Sequence, residues 1–196
     1  MRSSLLCIFL LFLGLAKVIA QPTISNTQTL RVYRLAIYVT HNAYKSATFA
    51  QDTEKVKVFW QKTEDFLNEL YMRDIGVRFQ VLRDERLIIT NPKEEVFTQR
   101  HNASYVIGLS TEAINKRIGS DSYDVGICIS YTSSKGIRGL AHIRGVYRDQ
   151  YKGAAVAFPT KEVIAHEIGH LFGGRHTFSG KKFDYASEKT EYDNGQ

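Results

Sequence analysis

Residues His166-Glu167-Ile168-Gly169-His170-Leu171-Phe172-Gly173-Gly174-Arg175-His176 set three imidazoles, a carboxylate and a glycine at the offsets H-E-x-x-H-x-x-G-x-x-H. On a helix, positions i and i+4 stand one above the other, so His166 and His170 project from one face. Two imidazoles held in that way can grip one Zn²⁺. Glu167 follows the first histidine, turned by about 100° around the helix axis. It can therefore reach a metal-bound water without taking a metal position, which is the place a general base needs. Gly173 suits the left-handed residue that ends a helix. The chain then swings back and His176 can supply a third nitrogen, leaving the fourth tetrahedral position to water.

Such a constellation arises by chance on the order of once in 10⁵, taking average residue usage as the prior. A lone histidine reads most simply as a satisfied surface residue. Half of the six histidines falling within these eleven residues, at ligand offsets, does not. The reading is a catalytic zinc site with His166, His170 and His176 as ligands and Glu167 as the base.

The same residues carry a family resemblance. H-E-x-x-H-x-x-G-x-x-H is the zinc signature of the metzincin metallopeptidases. Upstream, Gly139-Leu140-Ala141-His142-Ile143-Arg144-Gly145 resembles the Gly-Leu-Ala strand of the adamalysin/reprolysin branch. The order of strand, long helix, strand, helix and strand is similar too, so the resemblance covers most of residues 30–176. It implies a metzincin-like fold of mixed α/β class, a twisted sheet with long helices and a zinc-binding active-site helix. It also implies zinc-dependent endopeptidase activity on protein or peptide substrates. By the same resemblance the Gly139–Ile143 strand forms the upper rim of the cleft and pairs with extended substrate. Metzincins carry a methionine-containing turn after the third histidine, whereas no methionine follows His176 here. The expectation is a C-terminal subdomain that is incomplete after the zinc motif. Two other readings stay open: a secreted zinc-binding module or shortened pseudo-peptidase without activity, and a zinc hydrolase acting on a non-peptide bond.

The elements that must position these residues occupy a chain of 196 residues. Arg2, the apolar run Leu5 to Leu15 and the close Val18-Ile19-Ala20 form a secretory signal peptide over residues 1–20, cleaved before Gln21. The run is too short to favour a transmembrane helix, with an uncleaved signal anchor as the alternative, so the expected location is extracellular or periplasmic, with no membrane role beyond secretion. Residues 21–29 are a polar, flexible lead-in, and residues 30–196 form one catalytic domain with a sizeable core. Cys7 leaves with the signal, so Cys128 is the only mature cysteine; within Val125-Gly126-Ile127-Cys128-Ile129 it reads as a buried strand residue. The formal charge of +6 is scattered, with no run longer than Lys181-Lys182. Nucleic-acid binding calls for a clustered basic face, and none is evident.

Arg31 to Thr40 is rich in β-branched and aromatic residues and reads as a buried strand. A helix is expected from about Gln51 to Met72, with Val56, Phe59, Trp60, Phe66, Leu67, Leu70 and Tyr71 on its core face. Gly76 to Leu82 alternates as a second strand, continued by Leu87-Ile88-Ile89. A weaker helical pattern covers Glu94 to Ile118, broken near His101-Asn102. Asp124 to Ser130 is a central strand, Thr132 to Arg138 a loop, and Gly139–Ile143 and Ala154–Phe158 two short strands. Pro159-Thr160 leads into the zinc helix, with Thr160 as N-cap and Ile164, Ile168 and Leu171 as its anchors to the sheet. His142 is expected to face solvent from an edge strand, and His41 and His101 have no ligand spacing. The tail from Thr177 is polar with interspersed aromatics. Tyr185 and Tyr192 could each polarise a carbonyl, but neither sits in a motif that assigns it that role.

Overall fold

The computed structural model describes residues 29–98 and 102–176, and the backbone of 190–193. The signal peptide, most of the lead-in, His101, and Phe178, Phe183 and Tyr185 of the tail lie outside the described residues. The elements run β1 (Arg31–Val39), α1 (His41–Tyr44), α2 (Thr53–Ile75), β2 (Val77–Val81), α3 (Ala103–Ile118), β3 (Val125–Ile129), β4 (Gly139–His142), β5 (Ala155–Ala157), α4 (Lys161–Leu171) and β6 (Thr190–Asp193). No helix among the described residues is long and apolar enough to cross a membrane.

The strands form one sheet in the order β2-β1-β3-β5-β4-β6. The first four are parallel, with Ile37 beside Ile127 and Cys128 beside Val156. β4 then runs antiparallel to β5, and β6 antiparallel to β4. The class is the mixed α/β sheet that the order of elements implies. Every residue of β3 is buried, which requires cover on both faces of the sheet. α3 packs on β3, β5 and β4, while α2 lies on β2 and touches α4, which itself packs on β4 and β5. Cys128 is fully buried within this core, and its burial pushes the thiol pKa up, so it stays a neutral strand residue.

α2 starts where Asp52 accepts hydrogen bonds from the amides of Glu54 and Lys55. It buries Val56, Trp60, Leu67 and Tyr71, with Phe59, Phe66 and Leu70 packed beside them, as the periodicity requires. It continues past Met72 to Gly76, whose φ of 65° closes it. Three further expectations are corrected. Leu87 to Ile89 does not continue β2; Glu85–Leu87 is a 3₁₀ turn and Ile88 makes a single bridge to Val39. The helix expected from Glu94 begins only at Ala103, because Asn102 caps it through the Tyr105 amide, and Pro92–Glu94 is a separate 3₁₀ turn. β4 is not an edge: β6 pairs along it, and His142 stacks on Tyr151 with ring centroids 4.3 Å apart.

Candidate metal centre

α4 is fixed in three ways before any ligand is considered. Ile164, Ile168 and Leu171 are completely buried on the sheet side. The Tyr71 hydroxyl of α2 donates to the Ala165 carbonyl at 2.7 Å, and burial pushes that phenol's pKa up, so it remains a neutral donor. The backbone amide of Arg144, just after β4, donates to the His170 carbonyl at 3.0 Å. Thr160 occupies the N-cap position but makes no side-chain capping bond, so the helix start rests on packing rather than on that hydroxyl. Beneath the last turn, Phe172 meets Tyr33 edge-on at 5.1 Å and Phe79 at 5.9 Å.

The helix ends in a turn that also shapes the site. Gly173 takes φ 101°, its amide donates to the His170 carbonyl at 2.8 Å, and the Gly174 amide donates to the Gly169 carbonyl at 2.9 Å. These two bonds make a Schellman turn, which only a residue comfortable at positive φ completes well. The Gly174 carbonyl then accepts from His170 Nδ1 at 2.7 Å. A carbonyl can only accept, so the His170 proton sits on Nδ1 and the Nε2 lone pair is left for a metal.

The three sequence-predicted ligands converge. Nε2 of His166 lies 2.9 Å from Nε2 of His170 and 2.8 Å from Nε2 of His176, and the remaining pair is 3.2 Å apart. His170 is buried, and His166 and His176 are more open. Nitrogen lone pairs gathered this closely repel one another unless a cation or shared protons lie between them. Tetrahedral zinc with bonds of about 2.0–2.1 Å sets its ligand nitrogens roughly 3.3 Å apart, so the triad needs to open by at most about half an ångström. An all-imidazole set suits this borderline-soft ion and leaves one position open. The residues fit zinc.

Glu167 is completely buried although it neighbours His166 in sequence. Its side chain lies between α4 and β4, against Gly139 at the start of that strand. The structure thus brings together the three histidines picked out by spacing, while the Glu167 side chain packs against Gly139. His41 and His142 stand apart from this cluster; the His41 ring lies 3.2 Å from the Ile89 carbonyl. Sequence reasoning missed three contributors: the Gly174 carbonyl, the Tyr71 hydroxyl and the bare Cα of Gly139. The second glycine of Gly173-Gly174 was a signal for a turn, but nothing in the sequence says where its carbonyl points.

Compared with known families, residues 60–177 match the model of the Reprolysin-like metallo-peptidases of family M12B. The match covers more than half of the chain and runs from α2 through the third histidine. No curated protein matches the chain.

Proposed function

Because this chain belongs to the reprolysin-like M12B metallopeptidases, a zinc-dependent peptidase family, we propose that it is a secreted endopeptidase whose zinc is held by His166, His170 and His176 and whose general base is Glu167. The observation that carries this reading is the convergence of three imidazole nitrogens within 3.2 Å beside a buried glutamate.

Bound zinc supplies Lewis acidity, which lowers the pKa of water toward about 7 and polarises a carbonyl. The protein's own groups do the rest. Glu167 takes the proton of the attacking water and delivers it to the nitrogen of the leaving amine. The Gly174 carbonyl holds the His170 ring in the tautomer and orientation a ligand needs. An extended peptide would pair along the side of β4 that Thr190–Asp193 occupies, by backbone hydrogen bonds and without a free terminus, as an endopeptidase requires. Support comes from Thr190–Asp193, which pairs there antiparallel with Leu140 opposite Tyr192, so this edge accepts a strand. Secretion rests on Arg2 and the apolar run Leu5 to Leu15.

A quenched-fluorescent peptide assay with and without a zinc chelator tests the proposal. Internal cleavage that the chelator abolishes and zinc restores is the expected result. Zinc bound at one per chain without any cleavage would favour the non-catalytic zinc module instead.

A further inference from the structure

Gly139 opens β4 opposite Ala157 of β5. A glycine weakens a strand and calls for a reason. Backbone conformation does not supply one, since Gly139 is not among the residues at positive φ. Space does. A Cβ built on Gly139 would collide with Oε1 of Glu167 and stand 2.7 Å from its Cδ and 2.8 Å from its Cγ. Apart from Gly139 itself and the residues bonded to it, these are the three heavy atoms nearest to that Cβ, and all belong to one side chain.

We infer that Gly139 is a positioning residue: the absence of its side chain makes the space in which the Glu167 carboxylate stands. The inference rests on the reading of Glu167 as the base. Glu167 is completely buried, so a carboxylate displaced by a methyl group has no open solvent to swing into. It must take another rotamer within the packed space between α4 and β4. The shift is expected to spare the histidines, because the contact that Gly139 relieves is made by the Glu167 side chain alone. Gly139 therefore controls proton transfer and leaves metal binding alone.

The test is a thermal-unfolding double-mutant cycle on the zinc-saturated full chain at fixed zinc concentration, joined to steady-state kinetics. Gly139→Ala should lower Tm by roughly 2–10 °C, the usual scale of one overpacked methyl. In a Glu167→Ala background the same substitution should leave Tm unchanged or raise it, because the obstacle is gone. Zinc content should stay at one per chain in all variants. Gly139→Ala should also lower kcat by about 10²-fold, the scale of a 1 Å misplacement, with KM nearly unchanged. Equal loss of Tm in both backgrounds, no loss in either, or wild-type kcat in Gly139→Ala would overturn the inference. If the wild-type chain cleaves nothing, the proposed function fails, while the unfolding cycle still decides whether Gly139 places the carboxylate.

Discussion

On one side of β3, the strands β1 and β2 bury Leu35, Ile37, Tyr38, Val39 and Phe79 beneath a helix that adds Trp60 and Leu67. On the other side, β5 and β4 bury Ala155, Ala157, Gly139 and Ala141, and a shorter helix carries the histidines. The first region is held by many large side chains, any of which shares its task with neighbours. In the second, small residues let the backbone of β4 and the side chain of Glu167 approach closely, and single atoms have single duties. The Gly174 carbonyl orients one ring, and the Tyr71 hydroxyl ties one turn. The chemistry thus sits in one half of the sheet, where Leu140, Val156, Ile164 and Ile168 still supply a packed base for it.

The contrast breaks if removing the Glu167 side chain costs as much folding stability as removing a large side chain of the body. The largest effect expected is on turnover: Glu167→Ala should reduce kcat by about 10²–10⁴-fold, the contribution of acid–base catalysis. Zinc content and Tm should stay near wild type, and metal analysis beside peptide kinetics checks both. In the body, Ile127→Ala removes a completely buried side chain of β3 and should cost about 2–5 kcal/mol in denaturant unfolding. Below its lowered Tm that variant should still bind one zinc; loss of stoichiometric metal would show that the two regions are not separate. Gly173→Ala sharpens the comparison within the site. It places a Cβ at φ 101°, 3.0 Å from the Arg144 side chain, and disturbs the turn that presents the Gly174 carbonyl. Zinc affinity, measured by chelator competition, should fall by about 10–100-fold, as for loss of a ligand's outer hydrogen bond.

The smallest effect belongs to the body and depends on pH. Arg34 donates from Nη2 to Asp124 at 2.7 Å, and this hydrogen bonding holds the carboxyl pKa below its ordinary value. A carboxylate lowered on folding stabilises the native state above its unfolded pKa of about 3.9, and that contribution is lost as pH falls through the folded value. Asp124→Asn should therefore lower Tm slightly at pH 7, since both partners are substantially exposed. The difference from wild type should shrink below about pH 4 and vanish at stronger acidity. A deficit that persisted unchanged in acid would assign the loss to packing and not to charge.

The convergence of His166, His170 and His176 was legible because histidine offsets on a helix translate directly into geometry. The core face of α2 was legible for the same reason. The end of α2 was not: its apolar period stops at Tyr71, but Arg73 and Asp74 continue the helix on its exposed side until Gly76 adopts a left-handed conformation. The pairing of Thr190–Asp193 with β4 could not be read from a segment that alternates weakly and lies far along the chain. Gly139 looked like the start of a strand, because nothing local marks a glycine that leaves room for a residue 28 positions later. Local period predicts elements; the atoms that finish a site come from elsewhere in the chain.

The Schellman turn after α4 has a consequence for how metal enters. Ordering one residue's backbone costs roughly 1–2 kcal/mol, and a ligand carried on a loose loop would incur that cost each time an ion bound. Here the amide hydrogen bonds of Gly173 and Gly174 fix the first two residues of the segment that leads to His176. Part of the ordering that a metal would otherwise demand is thus made in the backbone of the chain itself.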